Sequence, residues 1–178
     1  GFGGVLDMID SLLFTAPLTG YLSDQVLRRR KLPYTVLCSC LFLFWTALAL
    51  TAGTLPLWGV ALILFGMGGV GGAFVLTWPI GREVNPPHLA GTAVAVANMG
   101  GFLGAALTQK YVGRVLDAGW TGAMAEGARV YPAAAYAGAF KVCAGFVLGA
   151  AGMSLLLRET RGRNIYHELH PGGPHGGS

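Results

Sequence analysis

Apolar residues in this chain come in long blocks separated by short polar turns. Five blocks stand out, at about residues 3–20, 33–53, 57–81, 89–109 and 135–157. Each is roughly long enough for a helix, rising 1.5 Å per residue, to cross a ~30 Å hydrocarbon core. The punctuation agrees. Pro33 suits a first helical turn, and Gly53-Thr54-Leu55-Pro56 makes a short uncharged turn. Pro86-Pro87 breaks the polar loop 82–88. Trp58 and Trp78 stand near the two ends of the third block, as interface anchors do. A mixed segment, 110–134, separates the last two blocks, and a Gly/Pro/His-rich tail closes the chain. The pattern predicts an all-α membrane protein, with a transmembrane bundle over 1–165 and a disordered cytoplasmic tail over 166–178.

Composition supports the bilayer as solvent. The chain is 53% hydrophobic and 11% charged, against about 25% charged in soluble domains. The net charge of +4 is not a nucleic-acid patch, because eight of the twelve cations sit in loops that alternating spans put on one side. These are Arg28, Arg29, Arg30, Lys31, Arg82, Arg158, Arg161 and Arg163. That asymmetry assigns those loops to the inside and 110–134 to the outside. With five spans, Gly1 is then outside, as in a piece of a longer protein. Cys38, Cys40 and Cys143 lie within apolar blocks without metal-ligand spacing, and the four histidines fall in loop or tail. No metal and no cofactor is expected.

The loop after the first block reads Gly20-Tyr21-Leu22-Ser23-Asp24-Gln25-Val26-Leu27-Arg28-Arg29-Arg30-Lys31. It resembles the signature loop of the major facilitator superfamily of secondary transporters, G-x-x-x-D-x-x-G-R-R. Gly20, Asp24, Arg28 and Arg29 match, while Leu27 replaces a glycine and Gln25 stands where a cation is common. The run from Arg82 to Ala93 looks like that family's connection into helix eleven. Arg158-Glu159-Thr160-Arg161-Gly162-Arg163 is similar to the E-T-K-G-R run after helix twelve. In this order the three motifs imply helices eight to twelve, most of one six-helix half, with the N-terminal helices missing. The resemblance also implies that Asp24 neutralises the positive end of a facing helix and helps lock one conformational state. Arg30 and Lys31 read as ligands for anionic lipid headgroups.

Asp7 and Asp10, three residues apart, share a face of the first block. Asp10 lies ten residues from Gly20, about 15 Å, close to the bilayer midplane. A carboxylate there is costly when charged, and its like-charged neighbour adds repulsion. Both are proton-coupling candidates; the bland alternative is that they cap the outer end of a later-starting span. Asn98, near the midplane of the fourth block, is a substrate candidate or an interhelical hydrogen bonder. Gly68 and Gly72, Gly100 and Gly104, and Gly145 and Gly149 form small-x-x-x-small faces for packing or for a hinge. Gly66–Gly72, with five glycines, is the better hinge candidate.

The expectation is a fragment of a proton-coupled secondary transporter moving a small solute by alternating access, embedded in a bacterial inner (plasma) membrane. Its partners would be lipid, a small-molecule substrate, H⁺ and the missing helices, and no nucleic acid. The rival is a non-transporting membrane scaffold that associates through its glycine faces. An enzyme is disfavoured, since no nucleophile–base pair lies in a span.

Overall fold

The computed structural model describes residues 17, 19–21, 23 and 28–170. Most of the first apolar block, with Asp7 and Asp10, lies outside the described residues, as does Asp24. Four helical stretches long and apolar enough to cross a membrane remain: Lys31–Thr51, Leu57–Glu83, Pro87–Ala118 and Ala133–Ser154.

The first, α1 (Lys31–Thr51), carries Pro33 in its opening turn, where the missing N–H has no intrahelical partner to lose. Its hydroxyls are absorbed by the helix itself. Ser39, Thr46 and Thr51 each donate to the carbonyl four residues back, at 2.8, 2.8 and 2.6 Å. Polar atoms so satisfied carry little penalty in hydrocarbon. Gly53 follows the helix at φ +84°, a left-handed turn that reverses the chain.

The second stretch is not uniform. An α-helix, α2 (Leu57–Val70), tightens into a 3₁₀ segment, Gly71–Leu76, before α3 (Thr77–Glu83) resumes. The restart has a cause in the sequence. Pro79 has no N–H and is tolerated only in a first helical turn, so the α pattern begins again just ahead of it. The tightened stretch therefore begins near the end of the glycine run 66–72 and extends to Leu76. Trp78 also differs from the interface anchor the sequence suggests, because its side chain turns to the next helix.

Helix α4 (Ala90–Ala118) follows a short 3₁₀ turn, Pro87–Leu89. Its 29 residues span about 43 Å, well beyond a ~30 Å core. The sequence placed its end near residue 109. The extra turns form because they have a surface to lie on. A Cβ at Gly138 would come within 2.8 Å of Val115 Cγ1, and one at Gly119 within 2.7 Å of Ala135 Cβ. The rest of the mixed segment is a two-stranded hairpin, β1 (Met124–Ala125) and β2 (Ala128–Arg129). Glu126 at φ +48° and Gly127 at φ +78° make its two-residue turn, with positive φ at both positions, as tight hairpins favour.

Helix α5 (Ala133–Ser154) returns, and a single turn, α6 (Tyr166–Leu169), ends the described chain. That turn lies where the sequence reading begins a disordered tail. Helix α1 packs chiefly on α5, α5 on α4, α4 on α3, and α2 on α1. The four spans thus close a ring. Side chains are far from fully covered: Phe65 is 82% exposed and Phe102 78% exposed, as suits helices whose solvent is lipid.

Candidate functional site

All eight cations of the lopsided set lie in segments at the ring end where α1 begins and α3 and α5 finish. One of them is buried there. Arg30 is 8% exposed, and its Nε and Nη2 donate to Glu83 Oε1 at 3.1 and 3.0 Å. Its Nη1 donates to Ser23 Oγ at 3.0 Å, and Ser23 in turn donates to the Arg29 carbonyl at 2.9 Å. The second oxygen of Glu83 accepts a short bond from the Thr160 hydroxyl. Thr160 and Ser23 are each 1% exposed.

A second carboxylate closes the cluster from the other side. Glu159 Oε1 accepts the backbone N–H of Arg30 at 2.6 Å and that of Arg161 at 3.2 Å. Its Oε2 accepts the N–H of Lys31 at 3.3 Å. Glu159 thereby caps the first turn of α1, with a negative charge where the helix dipole is positive. Lys31 Nζ donates to the Leu155 carbonyl at 2.7 Å, a cation at the exit of α5. Ser154 Oγ donates to Thr35 Oγ1 at 2.9 Å, adding a seam between α5 and α1.

The tail is tied to α3 as well. Ile165 N–H donates to the Glu83 carbonyl at 2.8 Å, and Asn164 Nδ2 to the carbonyls of Arg82 and Asn85 at 3.0 and 2.8 Å. Arg161 at φ +52° and Gly162 at φ +72° make the bend that returns the tail. Three segments remote in sequence meet at one ion pair: the loop before α1, the end of α3, and the run after α5.

This arrangement corrects part of the sequence reading. Arg30 is buried against Glu83 and not free for lipid headgroups, whereas Lys31 gives one donor to the Leu155 carbonyl in an exposed bond. The matched signature cations Arg28 and Arg29 are instead exposed. Neither carboxylate partner was singled out from sequence. A signal was present, since Glu83 and Glu159 each stand directly beside an arginine, Arg82 and Arg158, in loops predicted to share a side with Arg28–Lys31.

A second polar contact lies one turn and more above Glu83. Trp78 Nε1 donates to Asn98 Oδ1 at 2.8 Å, joining α3 to α4. Asn98 therefore bonds a neighbouring helix and keeps its amide N–H₂ for another partner. Phe74 stands edge-on to Trp78 at 6.0 Å between ring centroids. The glycine faces divide. A Cβ at Gly101 would lie 2.8 Å from Phe74, whereas Gly100, Gly104, Gly145 and Gly149 meet open space. Gly101, Gly119 and Gly138 do the close packing there, one or more positions away from the expected pairs. Gly72 is buried within the 3₁₀ segment, and Gly68 is half-buried in α2. Among the described residues no His, Cys, Asp and Glu gather as a metal site.

The sequence model of the Major Facilitator Superfamily matches residues 8–109, more than half of the chain. The chain belongs to this superfamily. No curated protein and no solved structure matches it. The matched stretch covers the signature loop, Glu83 and Asn98 but stops before α5. Glu159 and Thr160, which complete the junction, lie beyond it. This major facilitator protein is thus an all-α membrane transporter whose buried ion pair lies within the matched stretch and is tied by hydrogen bonds to Glu159 and Thr160 beyond it.

Proposed function

We propose that the chain works in proton-coupled movement of a small solute by alternating access, with the Arg30 junction on the cytoplasmic side of a bacterial inner membrane. The observation that supports it most is the junction itself. It binds the ends of three spans through buried charge, so those ends move as one body. No comparable clamp crosses the middle of the described ring. There the spans are joined by the Trp78–Asn98 bond, the Trp45–Phe140 and Tyr111–Phe146 ring contacts and glycine packing. A bundle clamped at one end can rock as a unit against the elements beside it. The 3₁₀ segment Gly71–Leu76 supplies a weakened stretch within that body. Gly68 and Gly72 belong to the same weakened region.

In this reading Asn98 offers its amide to solute near the midplane, beside Trp78. Asp10 carries the coupling proton because permanent charge at its depth is costly. Asp7, nearer the outer surface, plays a lesser part, and Asp24 biases the balance of states. Membrane-facing surface left open on α4 at Gly100 and Gly104 serves as the contact with the rest of the translocation unit.

The test is transport in proteoliposomes by the whole protein. Asp10→Asn should abolish pH-driven accumulation while solute counterflow, which needs only binding and the conformational cycle, survives. Accumulation at the wild-type level would overturn the coupling role. Asn98→Ala should raise the half-saturating solute concentration about tenfold or more, the loss of a hydrogen bond or two. The open glycine face also favours a second reading, a scaffold that recruits another membrane protein. Transport-dead protein that still captures such a partner through Gly100 and Gly104 would favour it.

A further inference from the structure

The ring end opposite Arg30 holds a recess of about 460 Å³ among α1, α2 and α5. That lies within the ~300–1,000 Å³ of small-molecule sites. One wall is a ladder of aromatic rings. Tyr131 and Tyr136 stand 6.3 Å apart between centroids, Tyr136 and Phe140 6.3 Å, and Phe140 and Trp45 5.8 Å. Along α5 the ladder descends seven residues from Ala133 to Phe140, about 10 Å below the helix start. Val60 and Leu64 supply aliphatic surface from α2.

Polarity is graded along this depth. At the mouth are the hydroxyls of Thr51 and Tyr131, which already donate to Ala47 O and Asp117 Oδ1. Below them the lining is hydrocarbon and aromatic carbon, apart from the Tyr136 hydroxyl and the Trp45 indole N–H. Just outside, Arg129 shares Asp117 with Tyr131, at 2.8 Å, and its side chain is 49% exposed. The Tyr131 hydrogen bond first, and the Asp117 charge next, push the Arg129 guanidinium above its ordinary pKa, so it remains a cation.

An apolar space of this kind does not hold water, and an empty one forfeits the dispersion contacts of its walls. Its upper wall is the turn at Ala52, Gly53 and Leu55 with Tyr131, but its deeper walls are all spans, so the solvent at the deeper level is lipid. Apolar depth, aromatic hydroxyls at the rim and a cation above match the profile of a phospholipid entering from one leaflet. We propose that the recess holds one acyl chain of a bilayer phospholipid, its tail along the aromatic ladder and its phosphate at Arg129. The inference is independent of the solute and of proton coupling.

The test uses the whole protein in vesicles of phosphatidylcholine carrying a diazirine midway along one acyl chain. After irradiation, adducts are mapped by peptide mass spectrometry. Adducts on Trp45 and Phe140 should exceed those on exposed Leu43 and Phe65 by several-fold. Val60→Phe, which fills the recess, should remove that excess several-fold while Phe65 labelling and helical content hold. Arg129→Gln should lower it about threefold. Labelling of Leu43 and Phe65 without Trp45 and Phe140 overturns the proposal, since another part of the protein then fills the space. Recess labelling unchanged in a folded Val60→Phe protein overturns it too. If Val60→Phe does not fold, the wild-type labelling pattern alone decides. Unchanged labelling in Arg129→Gln removes the phosphate from Arg129.

Discussion

The two ends of the ring are built on opposite principles. At the Arg30 end, polar side chains are buried and join residues far apart in sequence: Arg30 to Glu83, 53 residues apart, and Thr160 to Glu83, 77 apart. At the hairpin end, polar side chains are exposed and join near neighbours. Arg129 meets Asp117 twelve residues away, and Tyr131 meets it fourteen away. Arg129 also lies over the Trp120 ring at 4.6 Å, and Trp120 Nε1 donates to the Ala123 carbonyl at 2.9 Å. The first end couples spans to one another, whereas the second folds a loop onto itself. Buried charge is costly unless fully paired, so the first end tolerates no loss of a partner. The second can lose one to water.

Glu83→Ala is the strongest way to break this contrast. It leaves Arg30 buried without its counter-ion, and removal of one partner of such a pair costs about 3–5 kcal/mol. Thermal unfolding in detergent should show the loss. Replacing Arg30 and Glu83 together by apolar residues of similar volume should recover much of it. A small loss for Glu83→Ala would show that water reaches the junction.

Thr160→Val should come next. It keeps the shape, deletes the hydroxyl that donates to Glu83, and should cost about 1–3 kcal/mol by the same melt. Gly162→Ala should follow at roughly 1–2 kcal/mol, because a side chain at φ +72° is strained. In both, the melt should depend little on salt, since buried pairs are poorly screened.

Asp117→Asn sharpens the other side and should have the smallest effect. Both partners of that bridge are about half exposed, with side-chain values of 58% for Asp117 and 49% for Arg129. The melting midpoint should move little, and any shift should vanish at high salt. A loss as large as that for Thr160→Val would mean that the hairpin also clamps α4 to α5.

Much of the fold was legible because lipid imposes a simple rule. A span must be apolar over about twenty residues, and the blocks at 33–53, 57–81, 89–109 and 135–157 obey it. Their helical counterparts are observed from Lys31, Leu57, Pro87 and Ala133 onward. The hairpin left only a faint trace, Glu126-Gly127, in a segment without strand-like alternation. The extension of α4 to Ala118 left an amphipathic pattern, Val112, Val115 and Leu116, too polar to read as a span and made helical by docking on α5.

The candidate site was legible in outline and not in pairing. The signature loop and the tail motif marked the right neighbourhood, but Arg30 carried the same lipid-facing expectation as Lys31, and the fold encloses it instead. Sequence reports how many cations a loop carries; it does not report which one the fold encloses. The same limit applies to the glycines. Spacing of four residues offered Gly100 and Gly104, while the helix crossing selected Gly101 to receive Phe74.

By itself, then, the sequence determined the solvent of this protein, the number and approximate limits of the described spans, and its superfamily. Those follow from local composition and short motifs, which act without knowledge of neighbours. The tertiary structure decided that Arg30 pairs with Glu83, that Glu159 caps α1, that Trp78 holds Asn98 and that an aromatic recess forms between α2 and α5. Each depends on the rotation and depth of one helix against another. Those are set by the sum of many packing contacts around the ring, and no single residue or spacing encodes them.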